Sequence, residues 1–311
     1  MIELINVHKT FGYDKKYALR DISFKINDGE SFAVLGRDGA GKSTLLNVLA
    51  GCLPPSSGQV LMDGADLYFH AREKLRRIGY MPSRLYLYPE MTVSEYISYI
   101  FEIKGCKKSI SLTDGVLELC SLTHCAKSLI ATLSGADTAK IKLAQAIAGN
   151  PSVLILDEPT LGLRREDAAA MRSLLKKLRN NYTFILSSTL LREATELCDN
   201  VLIMNRGKIA VKSSISELTS GTAALAVMSL RVYSDDEHTE EFILALSEYC
   251  EVLKQPSREI GSTDLLLTYP ADNDIRPIIW QETVKRNIPI LEMTRKDVSL
   301  EEMFLQVTGE N

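Results

Sequence analysis

The stretch Gly36-Arg37-Asp38-Gly39-Ala40-Gly41-Lys42-Ser43-Thr44 fits the pattern G-x-x-x-x-G-K-[ST], a loop suited to holding phosphate. Its glycines let successive backbone N–H groups turn toward one anion, and a helix starting at Lys42 adds its partial positive charge. In that chemistry Lys42 reaches the β- and γ-phosphates and the Ser43 hydroxyl holds Mg²⁺. A second stretch, Val153-Leu154-Ile155-Leu156-Asp157-Glu158-Pro159-Thr160, ends an apolar run on two carboxylates. Asp157 suits the Mg²⁺ shell, and Glu158 suits a group that orients or deprotonates an attacking water. Either stretch alone would also suit an ordinary turn. Their pairing makes them a candidate site.

The elements that must position these residues are legible around them. The apolar run Ser31–Leu35 reads as a buried strand leading into the loop. Lys42–Ala50 reads as the helix that follows, with Gly51 where a helix-stopping glycine belongs. Val153–Leu156 reads as a second buried strand, and ligands of open α/β sheets gather at such C-terminal strand ends. Phe184–Leu186 and Val201–Met204 are further buried strands, with an amphipathic helix at Leu191–Cys198 between them. Residues 4–35 alternate apolar and polar, which predicts an antiparallel β layer beside the core. Phe11, in Lys9-Thr10-Phe11-Gly12-Tyr13, is either a ring for stacking a base or a strand aromatic packed on the core. Residues 90–149 are mostly helical in pattern. Thr92-Val93-Ser94-Glu95 is a capping-box start, and further helices fall at Asp114–Cys120 and Ala139–Ala148.

Residues 213–222 are rich in Ser, Thr and Gly and read as a linker. Beyond them, strands at Leu230–Tyr233, Glu251–Lys254, Asp264–Thr268 and Ile288–Glu292 alternate with helices at His238–Tyr249 and Asp274–Arg286. That β-α-β-β-α-β order predicts a small ferredoxin-like unit, closed by a helix at Ser299–Val307. It carries no catalytic constellation.

Composition narrows the function classes. The chain has 311 residues, is 45% hydrophobic and 24% charged, and has a net charge of −4. Those values suit a globular protein of two domains and argue against a general nucleic-acid binder. No apolar run is long enough to cross a bilayer, and Met1–Ile5 lacks the basic-then-apolar form of a signal peptide. The expectation is therefore a cytoplasmic protein. Six cysteines form no C-x-x-C pair, and Cys120, His124 and Cys125 lack a fourth ligand at zinc-site spacing.

The first two-thirds of the chain resembles the nucleotide-binding subunit of ATP-binding cassette (ABC) transporters. The resemblance rests on Gly36–Thr44, Ile78–Pro82, Leu133-Ser134-Gly135 opening a helix, and Val153–Thr160, in that order, with Leu197-Cys198-Asp199-Asn200-Val201 as a later match. The tail, Ser299-Leu300-Glu301-Glu302-Met303-Phe304-Leu305-Gln306-Val307-Thr308-Gly309, resembles the C-terminal extension of ABC-2-type exporter ATPases. The resemblance implies an α/β, P-loop NTPase core of ABC type at residues 1–214, with the antiparallel β layer and a helical subdomain at about 83–149. A linker at 215–222 and an α+β accessory domain at 223–311 complete the expected organisation. It implies ATP and Mg²⁺ as ligands, with Gly36–Thr44 around the phosphates, Ser43 and Asp157 on the metal, Glu158 as the catalytic group and Phe11 stacked on adenine. It further implies head-to-tail dimers in which Ser134 and Gly135 face the partner's nucleotide, and an integral membrane permease as the driven partner. The subunit would then lie on the inner face of the membrane.

The sequence departs from the family at four places. Ser83 stands where a Gln senses Mg²⁺ and water. Ala136-Asp137 stand where the signature has Gly and Gln. Arg164-Arg165 replace an Asp-Pro pair, and Thr189 replaces the switch histidine. Asp137 either points at a γ-phosphate, where like charges about 4 Å apart cost roughly 1–4 kcal/mol, or turns back to stabilise its own helix end. The binding half of the machinery is thus intact and the switching half eroded. That predicts weak or partner-dependent hydrolysis and favours a heterodimer with a better-preserved ATPase over a homodimer. A non-hydrolysing regulatory module in the same membrane complex is the second reading. A soluble ABC protein of translation or repair is the third. The segment Leu85–Tyr96, with Tyr86, Tyr88 and Tyr96, is the expected permease-docking surface.

Overall fold

The computed structural model describes residues 1–12, 16–69, 71–106, 109–219, 225–234, 236–247, 249–255, 257, 261–270 and 273–296. By packing, the chain divides into two compact units, one spanning Met1–Ile215 and one beginning at Ser216.

The first unit opens with β1 (Ile2–Phe11) and β2 (Lys16–Ile26), followed by β3 (Ser31–Leu35) and α1 (Lys42–Leu49). Then come β4 (Ser57–Met62), β5 (Ala65–Asp66), α2 (Ala71–Arg76) and β6 (Ile78–Met81). The helical stretch holds α3 (Val93–Ile103), α4 (Ile110–Leu119) and α5 (Gly135–Ile147). The unit returns to the sheet with β7 (Val153–Asp157), α6 (Arg165–Leu178), β8 (Thr183–Ser188), α7 (Leu191–Leu197), β9 (Asn200–Asn205) and β10 (Lys208–Ser214), and α8 (Ile215–Thr219) leads from it into the second unit. The second unit contains β11 (Leu225–Tyr233), α9 (Asp236–Leu246), β12 (Glu251–Gln255), β13 (Ser262–Pro270), α10 (Arg276–Lys285) and β14 (Ile290–Lys296).

Two sheets build the first unit. The antiparallel layer has the order β2-β1-β4-β5. The core sheet has the order β10-β9-β3-β8-β7-β6, parallel except where β10 pairs with β9. Of the antiparallel layer expected over residues 4–35, only the part up to Ile26 joins it, because Ser31–Leu35 crosses to the centre of the parallel sheet. Every residue of β3, β7 and β8 is buried. Strands covered on both faces need continuous apolar side chains, so they read as unbroken runs and not as alternation. Between the sheets, Val7, Ile22, Leu46, Leu49, Val60 and Ile155 pack into one core.

Thr92 caps α3 as its sequence predicts. Its side chain accepts from Glu95 N at 3.3 Å, and Glu95 Oε2 accepts from Thr92 N at 2.9 Å. The stretch expected as a linker at 215–222 begins instead as helix α8, directly after β10 pairs with β9 through Ser214. Ser and Thr are poor strand and helix signals alone, but an antiparallel partner and burial of Val211 override them. The second unit is a four-stranded antiparallel sheet in the order β12-β13-β11-β14. Phe242, Leu246 and Ile279 of its helices pack with Leu230, Val232, Leu265 and Leu267 of its strands. The expected helix Ser299–Val307 lies outside the described residues.

Candidate functional site

The parallel order explains how residues distant in sequence meet. The loops after β3, β8, β7 and β6 all leave the same edge of the sheet, in that spatial order. They deliver, in turn, the glycine-rich loop, Ser187–Thr189, Asp157–Glu158 and Ser83–Arg84. A cavity of about 320 Å³ opens there, lined by Ala18, Asp38, Gly39, Gly41, Lys42, Ser43, Thr44, Ser83, Arg84, Glu158 and Leu161.

Two glycines of the loop are required by close approach. Gly36 is buried, and a Cβ on it would stand 2.6 Å from Met204 O; one on Gly41, at φ +104°, would stand 2.6 Å from Ala18 O. Any side chain there would push the loop off the β strands beneath it. Lys42 is buried and donates to Gly36 O at 2.8 Å and Arg37 O at 3.2 Å. Its ammonium also lies 3.3 Å from Glu158 Oε1. The loop's own carbonyls thus aim the cation across the cavity at the acidic strand end. Arg37 and Asp38 are exposed at the tip, while Ala40 is buried under it and accepts from Gly207 N at 2.9 Å.

Asp157 is 1% exposed, yet two hydroxyls converge on its Oδ1: Ser187 at 2.5 Å and Ser43 at 3.2 Å. A hydroxyl beside a fixed carboxylate is the hard oxygen pair that Mg²⁺ takes, so Ser43 and Asp157 fit the expected metal. Glu158 sits at φ +49°, a left-handed conformation uncommon for a side-chain-bearing residue. Its N–H donates to Ser187 O at 3.2 Å and Ser187 Oγ at 3.0 Å, which holds the turn. Tyr80, at the end of β6, donates to Asn47 Oδ1 at 3.3 Å. Burial first, and the Asp157 charge second, push its phenol pKa upward and keep it neutral.

Behind the cavity lies a buried carboxylate. Glu193 of α7 is 2% exposed and accepts from Thr160 Oγ1 and, at 2.6 Å, from Ser188 Oγ. Arg172 of α6 stands 3.9 Å from it and donates to Glu196 at 3.0 Å. This network ties the turn after β7 to the end of β8. Sequence reading missed Ser187, Ser188 and Glu193. The available signal was two serines ending an otherwise apolar strand, the same pattern that marked Asp157-Glu158.

Phe11, Ser134 and Gly135 are not among the residues lining this cavity. Phe11 is 49% exposed at the end of β1, with Lys9 Nζ 5.4 Å from its ring centre, so it is not a core aromatic. It does not line the cavity. Ser134 caps α5, and Gly135 is exposed. Asp137 turns back on its own helix: its N–H donates to Ser134 Oγ at 3.1 Å, and Ser134 Oγ donates to its Oδ2 at 2.8 Å. Its other oxygen lies 3.5 Å from Lys140 Nζ and 3.6 Å from His124 Nε2. His124, Cys125 and Asp137 bring their ligand atoms within 4.8 Å of one another, a grouping that spans residues 124 to 137 and that local spacing did not show. The carboxylate there is already shared with Lys140, and no metal role is assigned. Among the surface tyrosines, Tyr86 is 93% exposed and Tyr88 is half-exposed. Tyr96 corrects the expectation: it is buried and donates to Gln145 Oε1. It lies on the inner stripe of α3, where period-3.6 burial and not aromatic character decides.

Residues 19–161 match the family model described as ABC transporter. The chain carries an ABC transporter domain. Over 99% of its length it is 28% identical to the linearmycin resistance ATP-binding protein LnrL of Bacillus subtilis (strain 168), covering 98% of that protein. It is also 28% identical to the Nod factor export ATP-binding protein I of Ralstonia nicotianae, over 96% of this chain and 91% of that one. The mouse ATP-binding cassette sub-family A member 9 is 30% identical over 95% of this chain, which spans only 18% of that longer protein. Among solved structures, the dimeric bacterial ABC transporter cassette MJ0796 superposes with a TM-score of 0.64 at 25% identity, covering 69% of this chain and 98% of that one. A P-loop NTPase core of ABC type is thereby shown. The LnrL alignment runs through both units.

Proposed function

We propose that this chain is the ATP-binding subunit of an ABC transporter of exporter type. It would bind Mg-ATP in the cavity at Lys42 and couple nucleotide-driven dimerisation to an integral membrane permease. One observation carries the reading: Lys42, Ser43 and Glu158, delivered after two strands that are not neighbours, line one cavity, with Asp157 buried against Ser43. The loop N–H groups and Lys42 would hold the phosphates, with Phe11 free to stack on adenine. Ser43 and Asp157 would hold Mg²⁺, which when bound neutralises phosphate charge. Glu158 would orient the attacking water and accept its proton, once nucleotide draws the Lys42 ammonium away from it.

Hydrolysis by the chain alone is expected to be weak. Ser83 is too short to reach a γ-phosphate, Thr189 does not line the cavity, and the Ser134 hydroxyl is engaged by Asp137. Such lesions would fall at both sites of a homodimer, which favours a heterodimer with another ABC ATPase. The same self-engaged signature supports a second reading, a regulatory module in which ATP binding without turnover gates the permease. Residues 1–214 would be the nucleotide-binding domain, and the second unit would be a ferredoxin-like accessory domain. Two features support that last assignment: the β-α-β-β-α-β element order and the strand order β12-β13-β11-β14. No described helix is long and apolar enough to cross a membrane, so attachment to the inner face would run through the permease.

Mg-ATP binding and turnover on one preparation test the proposal, with Lys42→Ala and Glu158→Gln as controls. Binding lost in the Lys42 variant, with wild-type turnover no higher than in the Glu158 variant, is the expected result. Brisk turnover by the purified chain on adding the permease alone would overturn the heterodimer. Absence of binding would overturn the whole reading.

A further inference from the structure

The cavity contains a cation that the motifs do not account for. Arg84 lines it from the β6 side, immediately beyond Ser83. It is exposed and, among the described residues, forms no hydrogen bond or ion pair. Lys42 differs: Glu158 and two loop carbonyls already engage its ammonium. The remaining charged groups on the cavity wall, Asp38 and Glu158, are negative. Without Arg84, the wall would set two carboxylates against one committed cation; Arg84 supplies the balancing charge.

Sheet order says which phosphate it would meet. The loop N–H groups of residues 39–43 lie after β3 and would cradle one end of a phosphate chain. Lys42 and Ser43 point from there to Glu158 and Asp157 at the end of β7. The strand beyond β7 is β6. The terminal phosphate, nearest Glu158, is therefore the one facing the loop after β6. Glutamine and histidine are missing from that end, where Ser83 is short and Thr189 stands outside the cavity. A guanidinium fork matches phosphate oxygens in pairs and spreads its charge toward the transferring group.

Resting on the Mg-ATP reading above, we propose that Arg84 binds the γ-phosphate in cis, so that this chain distinguishes ATP from ADP without a switch histidine. The test compares dissociation constants for Mg-ADP and the Mg-bound β,γ-imido analogue of ATP in wild type, Arg84→Ala, Arg84→Gln and Arg84→Lys, with thermal melts to confirm folding. Losing a charge-assisted contact should weaken the triphosphate by about 10- to 100-fold in the Ala and Gln variants. Mg-ADP affinity should stay within about twofold, which is under 0.5 kcal/mol. The Lys variant should recover part of the loss. Equal weakening of both nucleotides, or no weakening of the triphosphate, overturns the assignment. Wild type binding neither nucleotide overturns the nucleotide reading itself and this assignment with it.

Discussion

Two clusters of the first unit use the same kinds of polar group to opposite ends. Around Lys42, side chains from the glycine loop and from the loops after β6 and β7 line a shared open space. At the start of α5, Ser134, Asp137, Lys140 and His124 are aimed at one another. The first arrangement leaves hydrogen-bonding capacity for a ligand; the second uses it up. Burial of the surrounding strand ends makes the first rigid, since a buried donor or acceptor without a partner costs about 1–3 kcal/mol. The α5 end is exposed, so its contacts are weak and reversible, each about 0.3–1 kcal/mol. A partner could therefore remodel the second cluster but not the first.

That contrast can be broken or sharpened by substitution. The largest effect is expected from Glu193→Ala. It leaves Thr160, Ser188 and Arg172 facing a void. Denaturant unfolding should show a loss of about 3–5 kcal/mol, as for other buried charge partners removed singly. A loss under about 1 kcal/mol would mean the cavity does not depend on the layer behind it. Lys42→Ala follows, with Mg-ATP binding weakened about 100-fold, or roughly 2.7 kcal/mol. Calorimetric titration measures it, and unchanged affinity would make the loop a structural turn.

Asp137→Ala should be milder in stability and more informative in assembly. Losing its helix-end charge and its bond to Ser134 should cost about 1 kcal/mol. It also frees the Ser134 hydroxyl, so in a Glu158→Gln background light scattering with Mg-ATP should show more dimer than the parent. A monomer throughout would place the block elsewhere, with Arg164-Arg165 the next candidates. The smallest effect is reserved for the surface. Tyr86→Ala, at 93% exposure, should shift the unfolding free energy by less than about 0.5 kcal/mol. If Leu85–Tyr96 is the docking segment, that variant keeps nucleotide affinity while losing the permease in pull-down. Retained capture of the permease would argue that the dock lies elsewhere.

Much of this was legible in the chain itself. Apolar runs marked β3, β7, β8 and β9, because strands covered on both faces bury nearly every side chain. Thr92 and Glu95 announced the start of α3, because a cap is a local interaction. The glycine loop was readable as a motif of fixed spacing, although the close approaches at Gly36 and Gly41 that demand glycine come from distant strands. Helix α6 was not recognised, although Met171, Leu175 and Leu178 form its buried stripe. Charged residues between them hid a period of 3.6 in a segment singled out only for its arginines.

Composition and spacing by themselves picked out the candidate phosphate and metal residues, because that chemistry lies within one loop and one strand end. Tertiary structure alone decided the rest, because each remaining question concerns residues brought together by strand order. The insertion of β8 between β3 and β7 put Ser187 on Asp157 and Glu158. The packing of α3 turned Tyr96 inward while leaving Tyr86 in solvent. The fold also brought His124 beside Asp137 and set Arg84 on the cavity wall.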